Sequence, residues 1–187
     1  MTLGRGQLIF LIATALAGTP AVAAEIAATD GRVALTYDEA SWTGALDNAG
    51  LPELACKADS CGGSTAGCGT VLVVYQGEPL SRDSFENGFR ENLGKSVVDS
   101  ANANGGTGAE LVSPPTVTML GSNAGITLSI RVAFEDQPTR VDHFWLQSGA
   151  DLVGFTCLVA EDSYETAAPA FQQIFATAAV SAGETSQ

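Results

Sequence analysis

The stretch from Ile126 to Glu161 constrains the fold more than any other part of this chain. Its first segment, Gly125–Asp136, has an apolar residue at every even position from Ile126 to Phe134. Alternation with a period of two is typical of a β-strand with one buried face and one more polar face. Two further segments of strand character follow, Thr139–Ser148 and Leu152–Glu161, and both faces of the last one are mostly apolar. Short turns between the three segments, the first expected at Gln137-Pro138, predict an antiparallel meander, because parallel neighbours need a long crossover.

Two amphipathic helices are predicted to cover this meander. The first, Ser81–Gly94, carries an apolar stripe at a spacing of four residues that ends at Leu93. Gly94 is interpreted as the residue that ends this helix, and the polar, Gly-rich segment Asp99–Gly108 as a mobile loop. The second helix is predicted over Pro169–Val180, because proline fits the first turn of a helix and breaks its interior.

The residues before the first helix add further strands. Arg32–Tyr37 alternates like a strand, after a loose N-terminal stretch that extends to Gly31. Asp38–Pro52 is interpreted as a connection that packs its tryptophan on the edge of the core. Glu53–Ala58 and Thr70–Gln76 are predicted to form a hairpin. The whole chain therefore predicts an α+β fold, a mostly antiparallel meander sheet flanked by an internal helix and a C-terminal helix.

The first 24 residues have the pattern of a signal peptide. Met1–Ala24 has one basic residue, Arg5, followed by a short apolar run and a small-residue cleavage site near Ala24. The apolar run is too short to span a bilayer. We therefore expect a periplasmic or secreted protein with one domain over residues 25–187, whose core covers about residues 32–180.

The charge of the chain limits its partners. The whole chain has 8 basic and 21 acidic residues, a formal charge of −13; without Arg5 the count is 7 against 21, or −14. Nucleic acids and anionic membrane surfaces require basic patches, so neither is an expected partner.

The four cysteines of an exported chain predict disulfides. The spacing of Cys56, Cys61 and Cys68 does not match a zinc site, and Cys157 lies far along the chain. Of the three possible pairings we favour Cys61–Cys68 with Cys56–Cys157. A hairpin turn centred near residues 64–65 would place Cys61 opposite Cys68 and leave Cys56 deeper in the sheet.

The order of these elements resembles the PsbP-like α/β/α sandwich, which includes exported bacterial domains of LpqN and DcrB type. The resemblance covers roughly Arg32 to Val180 and implies an accessory or binding protein, with no catalytic residues to carry over. The segments that carry it are SRDSFENGFRENLG, ITLSIRVAF, RVDHFWLQS, DLVGFTCLVA and APAFQQIFATAAV.

Few residues are candidates for chemistry. His143 is the only histidine, and Asp142 beside it on a strand would point to the opposite face and fail to orient it. Glu135, Asp136 and Asp151 are candidates for a weak cation site if they gather at one end of the meander. No established catalytic, phosphate-binding or calcium-loop motif is present in the sequence, so neither a cofactor nor a resident metal is predicted.

The sequence thus predicts an exported, soluble binding or accessory protein without catalytic activity. It would bind an extracytoplasmic protein or a small ligand through a groove between sheet and helix, or through the loop Ala101–Gly108. Two alternatives remain open: an extracytoplasmic hydrolase that uses His143, and a protease inhibitor that presents the loop Gly62–Gly67 braced by Cys61–Cys68.

Overall fold

Ten strands and two α-helices make up the part of the chain that the computed structural model describes, residues 23–74, 81, 83–121, 123–148 and 151–181. A π-helical turn, Ser84–Phe89, leads into the first α-helix, and short 3-10 turns lie at Asp59–Cys61, Gly63–Thr65 and Glu161–Ser163. In chain order the elements are β1 (Ala23–Ala27), β2 (Val33–Asp38), β3 (Trp42–Leu46), β4 (Pro52–Cys56), β5 (Gly67–Val74), α1 (Arg90–Ala103), β6 (Gly106–Leu120), β7 (Asn123–Phe134), β8 (Gln137–Ser148), β9 (Asp151–Ala160), α2 (Tyr164–Thr177) and β10 (Ala179–Val180).

The main sheet has seven strands in the order β3-β4-β5-β9-β8-β7-β6, and every neighbouring pair is antiparallel. This confirms the predicted hairpin and the predicted meander. The turn between β7 and β8 is at Glu135-Asp136, with φ of 50° and 64°, and not at Gln137-Pro138. Positive φ at both central residues is the geometry of the tight turn that matches the twist of a hairpin.

The two helices lie on opposite faces of the main sheet, and each closes a separate apolar cluster. The face with α1 buries Leu93 and Val97 of the helix against the even-numbered apolar residues of β7, from Ile126 to Val132. The other face buries Phe171 and Ile174 of α2; the sheet residues it covers include Phe144, Val153, Phe155 and Val159. The fold is therefore an α/β/α sandwich, and the predicted direction of the β7 side chains is confirmed.

Helix α1 continues through Gly94, which the sequence had indicated as its end. Gly94 is buried, and a Cβ there would lie 3.0 Å from Leu111 Cδ1 and 3.2 Å from Pro115 Cγ of β6. Its missing side chain lets α1 approach β6 closely, and the buried contacts outweigh the low helix propensity of glycine. The segment predicted as a loop, Asp99–Gly108, is the end of α1, a turn at residues 104–105 and the start of β6.

Helix α2 begins before Pro169, which lies inside it, so the predicted start at this proline is wrong. The buried stripe includes Ala167 one turn earlier, four residues before Phe171. Packing of that extra turn against the core offsets the hydrogen bond that proline cannot make.

A small second sheet, β1-β2-β10, lies at the N-terminal side of the fold. Strand β2 confirms the predicted first strand, with Val33 and Leu35 fully buried. Residues 25–27, expected to belong to a loose N-terminal stretch, pair with β2 as part of β1, together with Ala23 and Ala24 of the predicted leader. The expected connection also contains β3, which begins with Trp42; this residue is buried and packs on Phe171 with ring centroids 6.3 Å apart.

The cysteines form two disulfides, with a pairing that differs from the expected one: Cys56–Cys61 and Cys68–Cys157. The hairpin register places Cys68 opposite Leu54, while β9 places Cys157 directly opposite Cys68. The 3-10 turn that ends at Cys61 folds this residue back towards Cys56, so the residues of the connection do not pair across a simple hairpin.

The predicted leader lies outside the described residues, apart from Ala23 and Ala24 in β1, and remains a prediction. In the described part of the chain, neither helix is long and apolar enough to cross a membrane.

Candidate functional site

A groove opens on the α1 face of the sheet and encloses about 560 Å³. We call it the α1 groove. One wall is the helix side of Asn92–Asn104, the floor contains His143, Trp145 and Thr156, and the far wall is the exposed side chains of β5 and β9. A volume of this size lies within the usual range for small-molecule sites, roughly 300–1,000 Å³.

The groove exists because α1 covers only one side of the sheet face beneath it. The helix packs chiefly on β6 and β7, towards which Gly94 faces. Strands β5 and β9 therefore keep an apolar surface in contact with solvent: Val71 is 44% exposed, Val73 41% and Leu158 39%. An apolar strip next to a concave floor is a feature of binding sites more than of ordinary protein surface.

The helix wall of the groove carries uncharged polar side chains at a spacing of four residues: Asn92, Ser96, Ser100 and Asn104. Residues four apart lie on the same side of an α-helix, so these four form one stripe. The neighbouring stripe, which contains Leu93 and Val97, is buried against the sheet. The extension of α1 beyond Gly94 thus adds Ser96, Ser100 and Asn104 to a wall that would otherwise contain only Asn92.

His143 lies in the floor of the groove, where its side chain is almost completely buried. Its Nδ1 is 3.0 Å from Thr156 Oγ1, while Nε2 has no hydrogen-bond partner among the described residues. Burial disfavours the charged imidazolium and lowers the pKa of His143 to about 4. The ring is therefore neutral at pH 7, and its free nitrogen is a donor or an acceptor depending on the tautomer.

Trp145 lies two residues further along β8 on the same face. Its indole covers Gly154 of β9, where a Cβ would be 2.8 Å from Cη2 of the ring. Phe89 contacts the indole edge-on, with ring centroids 5.9 Å apart, and stacks on Phe85 at 5.5 Å. The π-helical turn that precedes α1 carries both phenylalanines, and such turns are frequent at functional sites.

The Nε1 of Trp145 is also buried without a hydrogen-bond partner in the described part of the chain. An indole N–H is a donor only, and buried polar groups are nearly always paired in folded proteins. Both unpaired atoms therefore belong to neighbouring side chains that line the α1 groove.

No Asp, Glu, Lys or Arg is among the described residues that line the α1 groove. A wider depression of about 620 Å³, between the outer side of α1 and β6, is lined instead by charged side chains, including Arg90, Glu91 and Lys95. Neither His143 nor Trp145 lies in that depression, so the α1 groove is the stronger candidate.

Asp142, the neighbour of His143, points to the α2 side, as strand geometry predicts. Its carboxylate accepts hydrogen bonds from Ser129 Oγ at 2.6 Å and from Tyr164 OH at 3.0 Å. Desolvation raises the pKa of Asp142, and burial together with this carboxylate raises the pKa of Tyr164 to about 12. The Asp142 carboxylate joins β8 to β7 and α2 and does not act on His143.

The acidic candidates do not gather into one site. Glu135 and Asp136 form the turn at one end of β8, whereas Asp151 begins β9 at the opposite end and accepts a hydrogen bond from Arg32 at 2.9 Å. Consecutive turns of a meander lie at opposite ends of the sheet, which is why the proposed cluster is wrong. Among the described residues no group of three His, Cys, Asp or Glu side chains is placed to hold a metal ion.

The two loops proposed as binding elements have other structures. Ala101–Gly108 lies mainly in α1 and β6, and Ala101 and Asn104 contribute to the α1 groove as helix-wall residues. The segment Gly62–Gly67 is not braced by a Cys61–Cys68 bond, since each of these cysteines bonds elsewhere. Ala66 within it is buried in the core beside α2.

Of the residues that line the α1 groove, His143 was predicted from the sequence, whereas Trp145, Thr156 and the polar wall of α1 were not. The wall had a visible signal, because Leu93, Val97 and Ala101 continue the apolar stripe past Gly94 at the same spacing. Trp145 also had one, because the alternation of β8 places it on the same face as His143, two residues away. Thr156 had none, since its proximity to His143 depends on the register between β8 and β9.

No protein-family model matches the sequence, and no curated protein matches it either. Several solved structures are similar. Cyanobacterial PsbP (CyanoP) from Synechocystis matches with 16% identity and a TM-score of 0.59, over 89% of this chain and 96% of that one. The Ran-binding protein Mog1p of Saccharomyces cerevisiae matches with 10% identity and a TM-score of 0.57, over 86% and 96%.

LpqN of Mycobacterium tuberculosis, described as involved in cell envelope biogenesis, matches with 10% identity over 88% of this chain and 87% of that one, at a TM-score of only 0.40. At these identities the likeness concerns the fold alone, and the first two structures carry it. The chain has the PsbP-like fold.

Proposed function

We propose that this protein is an exported binding or accessory protein without catalytic activity, and that it binds its ligand in the α1 groove. One observation carries the proposal. His143 Nε2 and Trp145 Nε1 are buried without partners in the floor of an open, mostly apolar groove. An unpaired buried polar group costs about 1–3 kcal/mol, so a ligand that pairs with both atoms gains affinity from them.

The leader pattern of Met1–Ala24 and the two disulfides support export. The fold neighbours support a binding role in general terms, since Mog1p is described as a Ran-binding protein. Fold likeness does not transfer a partner, so the groove itself is the basis of the proposal.

A hydrolase that uses His143 is the weaker alternative. The 3.0 Å separation of His143 Nδ1 and Thr156 Oγ1 would suit a base and a nucleophile. A pKa of about 4 makes the imidazole a weak base at pH 7, however, and its neighbouring carboxylate, Asp142, faces the other side of the sheet. The pair therefore lacks the orienting carboxylate that activates such a base.

The proposal is tested with N-phenyl-1-naphthylamine, an uncharged apolar dye whose fluorescence rises when it leaves water. We expect saturable binding of one dye per oxidised protein. Ser100→Trp fills the groove from its helix wall and should abolish binding. Glu91→Trp places the same side chain on the outer side of α1, away from the groove, and should leave binding unchanged.

Binding that does not saturate, or that Ser100→Trp leaves intact, would contradict the α1 groove as the site. Both variants alter exposed helix positions, so circular dichroism and the unfolding midpoint provide a check that each one folds normally.

A further inference from the structure

The chemistry of the α1 groove narrows the class of ligand, and this inference rests on the proposed function. We infer that the groove binds an uncharged, mostly apolar small molecule that carries a hydroxyl or carbonyl oxygen, held by the Trp145 indole N–H and by His143. The simplest member of this class is a long-chain alcohol, or an ester small enough for the groove volume of about 560 Å³.

Among the described residues that line the α1 groove none is charged, and this disfavours ionised ligands. A carboxylate or ammonium group that enters the groove would lose its hydration without meeting an opposite charge on any described lining residue. Burial of an unpaired charge is among the most costly steps in recognition. An anion would in addition approach a chain with a formal charge of −13.

The polar atoms of the floor require an oxygen at a defined place. Trp145 Nε1 only donates, so the ligand must supply an acceptor there. His143 is neutral, and Thr156 contacts its Nδ1 in either tautomer, which leaves Nε2 as the complementary donor or acceptor. A hydroxyl group satisfies both tautomers, and a carbonyl oxygen satisfies one of them.

The walls of the α1 groove determine which other groups the ligand can carry. Val71, Val73 and Leu158 present an apolar side, while Ser96 and Ser100 present hydroxyl groups on the helix side. An elongated apolar chain fits the first wall without loss of hydrogen bonds, and further hydroxyl groups are tolerated at the second. A protein partner is disfavoured, because the unpaired atoms lie at the buried floor, where a flat interface does not reach.

The test uses four molecules with the same C12 chain: 1-dodecanol, dodecanoate, dodecyltrimethylammonium and dodecane. Each displaces bound N-phenyl-1-naphthylamine from the oxidised protein at pH 7, below the critical micelle concentration of the charged pair. We expect dodecanol to bind at least about tenfold more tightly than either charged molecule or dodecane, as one hydrogen bond to a buried group implies.

A second readout reports the floor directly. His143 is the only histidine in the sequence, so histidine-labelled protein without an affinity tag gives a single pair of imidazole ¹⁵N signals. Dodecanol should shift the Nε2 signal. Trp145→Phe, which keeps an aromatic ring but removes the N–H, should weaken dodecanol about tenfold more than it weakens dodecane.

The outcomes separate the two levels of the proposal. If the dye binds but dodecanoate or dodecyltrimethylammonium displaces it as well as dodecanol does, the ligand class is wrong and the groove remains a binding site. If dodecanol and dodecane compete equally, the polar anchors have no role and the inference is also overturned. If the dye does not bind at all, the proposed function itself has failed.

Discussion

Cys68 and Cys157 lie directly opposite each other on β5 and β9, with their Cα atoms 4.0 Å apart, and are joined by a disulfide. The bond links β5, the second strand of the β4–β5 hairpin, to β9 of the meander at the centre of the sheet. Strands β5 and β9 are also the strands that form the far wall of the α1 groove. The bond has a sequence separation of 89 residues, which is much greater than the 5 of the Cys56–Cys61 bond.

The two disulfides should therefore differ in their contribution to stability. In the chain-entropy model the long loop contributes about 4–5 kcal/mol and the short one about 2 kcal/mol. We expect the Cys68→Ala/Cys157→Ala double variant to lose more free energy of unfolding in urea than the Cys56→Ala/Cys61→Ala control. Peptide mapping without reductant should recover the 68–157 and 56–61 pairs. A 61–68 peptide pair would refute the register of β5 described above.

His143 should make the protein less stable in mild acid. Its pKa of about 4 in the fold lies below the unfolded value of 6.5, so between these values only the unfolded chain is protonated. The free energy of unfolding therefore has its full value above pH 6.5. It decreases as the pH falls towards 4, by about 3 kcal/mol in total. Imidazole NMR signals of this single histidine give the pKa directly, and a value near 6.5 would show that the ring is hydrated.

His143→Gln is the matched control for that pH dependence. Glutamine has no proton to gain in this range, so the loss of stability between pH 6.5 and pH 4 should become smaller by the same amount. Asp142 acts in the opposite direction, because its raised pKa favours the fold as the pH falls; this contribution is common to both proteins.

Glu161 should stabilise the end of the meander through two arginines. It accepts hydrogen bonds from Arg140 at 2.6 Å and from Arg131 at 2.8 Å, and these lower its pKa to about 2. The stabilisation is present above pH 4.5 and is lost as the pH falls towards 2. Because the site is near the surface, we expect Glu161→Gln to cost about 1 kcal/mol at pH 7 in chemical denaturation.

Glu110→Gln is the control for the two ion pairs that Glu161 forms. Glu110 meets Arg131 at 3.3 Å, but its side chain is 61% exposed, so its removal should change the stability by less than about 0.5 kcal/mol. If both substitutions lower the free energy of unfolding equally, the two ion pairs of Glu161 contribute no more than the exposed pair of Glu110.

Gly154→Ala should displace the indole of Trp145 and damage the groove floor. The added Cβ would lie 2.8 Å from the ring, so the ring must move, at a cost of about 1–3 kcal/mol in stability. Dye binding should weaken together with stability. Gly69→Ala is the matched control on β5, where a Cβ meets nothing within 4 Å of the described structure, and it should retain both properties.

Local patterns in the sequence were sufficient to determine the three meander strands and their buried faces. The alternation from Ile126 to Phe134 requires only that apolar side chains leave water on one side of an extended chain, and this holds whatever the neighbours are. The same reasoning located the apolar stripes of both helices. It also showed that Asp142 and His143 face opposite sides of β8.

Tertiary contacts decided the structure at positions where local sequence signals and packing disagree. Gly94 and Pro169 are both poor in a helix, yet each lies inside one, because the surrounding helix buries apolar surface that exceeds the local cost. Packing therefore overrules helix ends that are predicted from such residues.

The register between strands distant in sequence decided the rest. The partner of Cys68, the meeting of His143 with Thr156, and the cover of Trp145 over Gly154 all depend on how β9 aligns with β5 and β8. A shift by one residue would exchange the faces of β9 and break every one of these contacts. The sequence alone determined the strands and their buried faces, whereas the alignment of β9, and with it the groove floor, was decided only when the whole sheet packed between two helices.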